Sequence, residues 1–310
     1  MRPRLWWLAV AFATPLAAQS QTAPFHVVES GQSFWRLDDA VKAVGDREAT
    51  IEIASGIFHD CASQHAGRIT FRATVAGQAV LDGQICDGKA ALVLHGRGAR
   101  VEGIVFQNLR VPDGNGAGIR LESGNLVVIN SWFRDSEEGI LSADDPASAI
   151  TVDHSTFSRL GRCDRGLSCA HSIYVNNYGS VTVTKSRFEQ GQGGHYVKSR
   201  AAHTVVTDSS FDDSHGHTTN YMIDLPAGSD GSITGNTFVQ GKDKENHSAF
   251  ITVAAEAREH PSAGLVIAGN SADQVPGVDW PSAFVADWSH EPLRLGANKL
   301  SSRIKPFEAR

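Results

Sequence analysis

Methionine is nearly absent, with 2 residues in 310, while glycine stands at 30. That imbalance disfavours a helical bundle and suits short strands joined by turns. After residue 20 no apolar run approaches the roughly 20 residues a spanning helix needs, so no membrane span is expected in the remaining chain. Basic residues are in deficit, 28 Lys and Arg against 34 Asp and Glu, for a formal charge of -6. The deficit argues against nucleic acid as a partner, and an anionic ligand would need a local basic site. Cys-x-x-Cys is missing, so the 4 cysteines read as staples rather than redox centres. Cys61–Cys86 would tie two early segments together, and Cys163–Cys169 would close a small loop ending two residues before His171.

What is present begins with an export signal. Met1–Arg4 is a short basic stretch, Leu5–Ala18 is apolar, and cleavage after Ala18 or Ser20 follows small residues. Residues 1–20 are therefore expected to be a signal peptide, with 21–310 as a periplasmic or secreted domain. Disulfides belong to such an oxidising compartment. No cysteine lies near the cleavage point to carry a lipid anchor. Over residues 32–44, Phe34, Leu37, Val41 and Val44 share one helical face, which predicts a short amphipathic helix. Thr50–Phe58 then alternates as a strand, with a turn at Ser55-Gly56.

From there a repeat takes over. Segments ending at Phe133, Phe157, Phe188, Phe211 and Phe238 share one pattern, spaced by 24, 31, 23 and 27 residues, and Leu265–Ala272 is a degenerate further copy. The loose period excludes a helical-repeat array and fits a coil of short strands, each pairing with its equivalent one turn later. Between these segments lies a second strand family, including Ala117–Glu122, Glu138–Ala143 and Ala249–Ala254. Two alternating families predict two parallel sheets on different faces. Ser131, Ser155, Ser186, Ser209, Asn236 and Asn270 would then stack as a structural ladder at a turn.

Within the second family, His171–Asn176, His195–Arg200 and Tyr221–Pro226 alternate with period two. The predicted buried set is Ile173, Val197 and Ile223, followed by Val175, Ser199 and Leu225. The predicted outward columns are Ser172, Tyr196 and Met222; Tyr174, Lys198 and Asp224; and Asn176, Arg200 and Pro226. Parallel pairing puts Tyr174 and Asp224 about 4.8 Å to either side of Lys198. A cation, a phenol and a carboxylate then share one surface, with Arg200 two residues along. Arg120, on Ala117–Glu122, is an added candidate for binding substrate, as are Asn176 and Tyr196. By the same alternation His171, His195 and Tyr221 point inward or lie at the strand rim, where they form a polar column supporting the site.

This repeat resembles the right-handed parallel β-helix of the pectin-lyase-like superfamily over roughly residues 50–300. The fold class implied is all-β, a single-stranded coil with a short N-terminal capping helix at about 32–44 that hides an open sheet edge. The three segments also resemble those of exported bacterial β-helix proteins. The resemblance implies an enzyme acting on an acidic polysaccharide or oligosaccharide, bound along one exposed sheet. β-Helix lyases use a Lys with an Arg, which casts Lys198 as the base, Arg200 as the neutraliser of the uronate carboxylate, Tyr174 as the acid or hydroxyl binder and Asp224 as the residue positioning Lys198. Those enzymes often hold Ca²⁺ through carboxylate and amide oxygens, for which Asp224, Asn176 and Glu122 are the candidates. Asp212–His217 mixes carboxylates and imidazoles but lacks a zinc spacing.

Two other enzyme readings use the same scaffold. Glycoside hydrolysis needs paired carboxylates, offered by Asp144-Asp145 and Asp212-Asp213, yet no Asn-x-Asp accompanies them. C5-epimerisation shares the lyase's proton abstraction, but only Asp145–Ser148 stands near the Asp-Pro-His-Asp of mannuronan epimerases. A non-catalytic glycan-binding β-helix would spread exposed aromatics over many coils, whereas here titratable groups concentrate on three.

Overall fold

A strand that alternates apolar and polar residues can bury only one face, and stacking coil upon coil lets every such face close on a shared core. The computed structural model describes residues 22–310, so the expected signal at 1–20 lies outside the described residues. The strands form three sheets of 12, 10 and 10 members, and each strand pairs in parallel with its equivalent in the next coil. The result is the right-handed parallel β-helix anticipated from the repeat. An antiparallel hairpin, Phe25–Val27 with Gln32–Phe34, closes the first sheet at its start.

The sequence predicted two sheets where there are three, because each Phe-ending segment turns a corner. Asn125–Ile129 belongs to the first sheet and Trp132–Arg134 to the second, with Asn130 between them at φ 48°. His154, Lys185 and Asp208 occupy the same corner at 47°, 46° and 52°. Such left-handed backbone is uncommon for residues other than glycine and must be held in place. The serine ladder holds it: the Ser131 N–H donates to Ser155 Oγ at 3.2 Å, Ser155 to Ser186 at 3.2 Å and Ser186 to Ser209 at 3.1 Å. Each hydroxyl meanwhile donates to the carbonyl two residues back, as Ser131 does to Ile129 at 2.9 Å.

Immediately past the corner, the terminal phenylalanines stack inside the coil. Phe106, Phe133, Phe157, Phe188, Phe211 and Phe238 form a column with ring centroids 4.8 to 4.9 Å apart, which is the interstrand spacing. Ala272, in register with Phe238, ends it. Phe157→Ala should therefore cost about 3–5 kcal/mol, seen as a lower denaturant midpoint at unchanged slope.

The capping helix is shorter than the periodicity suggested, spanning Leu37–Val44. Residues 32–34 are strand instead, because Gly31 at φ 67° turns the chain back on Phe25–Val27. Asp60 then accepts the Leu37 N–H at 3.0 Å and fixes the helix start. Both expected disulfides are formed, and neither pair leaves a free thiol. Among the described residues no helix is long and apolar enough to cross a membrane. The disulfides are consistent with an extracellular location.

Candidate active site

The third sheet carries the predicted register. Ile173, Val197 and Ile223 pair in sequence and are fully buried, while Tyr174 faces Lys198 and Lys198 faces Asp224 on the other side of the sheet. The neighbours extend the column in both directions, Leu141 before Tyr174 and Thr252 after Asp224.

Two expectations fail: Lys198 and Asp224, expected on an open surface, are only 8% and 3% exposed, and one predicted column points the wrong way. Ser172, Tyr196 and Met222 are 2%, 1% and 1% exposed and point inward, because the chain bends there and sends two consecutive side chains into the core. The same slot holds Gly118 and Gly139 in earlier coils, where a Cβ would meet the Phe133 ring at 2.6 Å or the Phe157 ring at 2.9 Å. Tyr196 is thus no substrate ligand. Its hydroxyl donates to the buried Asp213 at 2.7 Å. The bend equally moves His171, His195 and Tyr221 to the site side.

There the two imidazoles lie against each other, tilted by 38°, with centroids 4.9 Å apart. His171 Nδ1 accepts the His195 backbone N–H at 2.9 Å, which leaves the His171 proton on Nε2. His195 Nε2 lies 3.5 Å from Asp224 Oδ2, and the Tyr221 ring sits 5.8 Å from His195. Burial first, then the neighbouring imidazole and Lys198, hold His171 well below the usual histidine range. Burial and the ammonium groups of Lys198 and Lys244 do the same to His195. Both rings are neutral at physiological pH, so the contact with Asp224 is not an ion pair.

Lys198 Nζ donates to Glu256 Oε1 at 2.6 Å and lies 3.4 Å from Asp224 Oδ2 and 5.6 Å from the Tyr174 ring centroid. Arg200 reaches the other Glu256 oxygen through Nη2, and its Nε donates to Tyr174 Oη at 3.2 Å. Burial pushes the Asp224 carboxyl up, against the opposing pull of Lys198 and of the Thr252 hydroxyl, which donates at 2.7 Å. Burial also works against the Glu256 carboxylate, yet the hydrogen bonds from Lys198 and Arg200 outweigh it and hold the group below its usual range.

Glu256 was not legible in the sequence. It lies beyond the strand Ala249–Val253, after Ala254 turns at φ 55° and the N–H groups of Glu256 and Ala257 both donate to the Pro226 carbonyl. A non-repeating loop folded back over the preceding coil carries no periodic signal. Thr252, opposite Asp224, was within reach of the register argument.

Other expected residues are not brought together. Arg120 lies in the same column but two strands from Tyr174, with Leu141 between, and pairs with Glu122 at 3.1 Å. The Asn176 side chain donates to the Ser142 carbonyl at 2.6 Å and braces a turn. Glu122 also binds Lys89 at 2.5 Å. Asp224, Asn176 and Glu122 are thus each tied to different neighbours and make no calcium cage. In Asp212–His217, Asp213 is buried against Lys244 at 3.0 Å and His217 pairs with Asp243 at 3.1 Å, so that loop offers no converging ligand set.

A family model described as "Right handed beta helix region" matches residues 102–276. No curated protein matches the sequence. Among solved structures, ORF18 of Geobacillus virus E2 is 12% identical with a TM-score of 0.55, over 88% of this chain and 57% of that one. This chain therefore spans less than two thirds of the viral protein's length. A pectin methylesterase from Aspergillus niger is 11% identical with a TM-score of 0.47, over 96% and 92% of the two chains. The Streptococcus pneumoniae surface protein and adhesin PfbA is 11% identical with a TM-score of 0.33, over 88% and 94%. At 12% identity the likeness to the viral protein is one of fold.

Proposed function

The chain belongs to the right-handed β-helix family, and on that scaffold we propose that it is an exported lyase cleaving a uronate-containing glycan at the Tyr174–Lys198–Asp224 face. One observation carries the reading: the Lys198 ammonium and the Arg200 guanidinium together grip a carboxylate, that of Glu256. An internal carboxylate occupies the place a uronate carboxylate takes during turnover.

The roles follow from the surroundings. The substrate carboxylate displaces Glu256 and binds Arg200, which neutralises the charge that builds up on the uronate after proton loss. Lys198 is left facing Asp224, which holds Nζ in place at 3.4 Å while solvent carries off the ammonium proton. The neutral amine removes the proton on the carbon bearing the carboxylate. That C–H electron pair becomes the new carbon–carbon double bond as the bond to the glycosidic oxygen breaks. Tyr174 gives the leaving oxygen its proton and regains one from solvent. The neutral His171–His195 pair supports Asp224 from behind.

Incubation with uronate polymers should generate the ultraviolet absorbance of an unsaturated uronate, and silence across such polymers sinks the lyase reading. Hydrolysis is the second reading, favoured by two carboxylates that meet at Lys198, Asp224 at 3.4 Å and Glu256 at 2.6 Å, the first pushed up by burial and the second held down by its cations. New reducing ends without unsaturated ends select it. A binding protein without turnover leaves both assays silent.

If Glu256 is the internal competitor, Glu256→Ala should lower KM about tenfold with little change in kcat, about the size of one charge-assisted contact. A fall in kcat at constant KM would instead give Glu256 a direct part in the chemistry. The clamp also has a pH signature. Because the folded Glu256 value lies below the ordinary 4.5, its stabilising contribution is fully present above 4.5 and is lost as pH falls through the lowered value. Hydrogen-exchange protection of the 254–260 loop amides should drop in that acid window, and should not change there in Glu256→Ala.

A further inference from the structure

The turns leading from the second sheet into the site sheet carry an arginine cluster that the proposed chemistry does not use. Arg110 stands on the turn before Ala117–Leu121, and Arg159, Arg162 and Arg165 stand on the turn before Ile173–Val175. Two adjoining cavities of about 330 and 340 Å³ open there and share Arg110, Arg162 and Asp164.

Three carboxylates lie among the four guanidinium groups, and each is already engaged. Asp135 takes Arg159 in a two-pronged contact at 2.6 and 2.8 Å. Glu137 accepts Arg165 at 2.6 Å and the N–H groups of Val111 and Gly116 at 2.9 and 3.0 Å. Asp164 takes Arg162 at 2.5 Å. Arg162 itself is 6% exposed and also donates to the carbonyls of Gly114 and Ser168, which pins the Cys163–Cys169 loop. Arg110 is exposed and, among the described residues, makes no side-chain hydrogen bond or ion pair. The Arg110 guanidinium thus faces the groove with its N–H groups free and Asp135 as a nearby countercharge, on a chain whose overall charge is -6.

We propose that this groove is an anion subsite for an acidic sugar, with Arg110 as its free fork for a carboxylate or sulfate group. The proposal rests on the glycan reading above and extends it: the turns bearing the groove run directly into His171 and His195, so a glycan on the site sheet would reach it. A planar guanidinium meets either oxyanion through two parallel N–H bonds, and the fixed loop limits the ordering cost of binding.

Affinity electrophoresis of the full chain through polygalacturonate, alginate, chondroitin sulfate and neutral dextran tests it. The wild-type protein should be retarded by at least one acidic polymer and not by dextran. Arg110→Glu should weaken that retention about tenfold, and Arg110→Lys, which keeps the charge but loses the fork, should fall between. Preference for the sulfated or the carboxylated polymers identifies the group bound. Retention by no acidic polymer, or equal retention of wild type and Arg110→Glu, overturns the subsite. The two readings fail separately: cleavage with unaltered KM in Arg110→Glu removes the groove and leaves the lyase, while Arg110-dependent retention without cleavage or unsaturated product does the reverse.

Discussion

Lys198→Ala is expected to lower the rate of unsaturated-uronate formation by about a thousandfold, within the range set by losing a positioned acid–base group. Lys198 stands at the centre of the outward column, where it touches Glu256 and Asp224 and lies against the Tyr174 ring. Its removal leaves Asp224 buried without a cation. Yet burial already pushes that carboxyl up, so its neutral form is easier to reach than an ordinary carboxylate's, and the Thr252 hydroxyl remains bonded to it. Activity should therefore collapse while the thermal midpoint moves little. A variant that keeps more than a tenth of the wild-type rate removes Lys198 from the chemistry. Arg200→Ala should instead raise KM as well as lower kcat, because it grips the carboxylate in the ground state too.

The largest loss of stability is expected at Lys244→Ala. Asp213 and Lys244 form an ion pair 3.0 Å long, with side chains 0% and 1% exposed. Asp213 also accepts Tyr196 Oη at 2.7 Å, Thr219 Oγ1 at 2.8 Å and the Gly241 N–H at 3.2 Å, while Lys244 Nζ donates to the Asn220 carbonyl at 2.5 Å. Burial pulls the Lys244 ammonium down from its ordinary value, and Asp213 opposes that pull. Truncating one partner leaves a buried carboxylate without its cation, which costs about 3–5 kcal/mol. Denaturant unfolding should show the loss as a lower midpoint, and Lys244→Met combined with Asp213→Asn should recover part of it. A loss below about 1 kcal/mol in the single variant would show the pair to be dispensable. Because Tyr196 adjoins the strand Val197–Ser199, the network also braces the site from inside the coil.

The legible parts of this fold were those that repeat. A parallel coil shows each strand's partner one turn later, so the terminal phenylalanines and the Ser/Asn ladder could be aligned before any coordinates, and with them the meeting of Tyr174, Lys198 and Asp224. The third sheet stayed hidden because a single left-handed residue at Asn130, His154, Lys185 or Asp208 makes each of those corners, with no glycine and no fixed residue type to mark it. Tyr196 was misplaced for a related reason. Strict alternation assumes a straight strand, and the bend beside it turns two neighbours inward together.

Side-chain type and period alone determined the solenoid, the disulfide pairs and the column holding the candidate base, since parallel pairing is a local rule repeated from turn to turn. Only the tertiary structure decided that Glu256 closes over Lys198 and Arg200, that Asp213 is sealed against Lys244, and that Arg110 stands free beside the disulfide loop. Those contacts join non-repeating turns of different coils, and their partners are chosen by burial and charge in three dimensions, where sequence spacing holds no record of them.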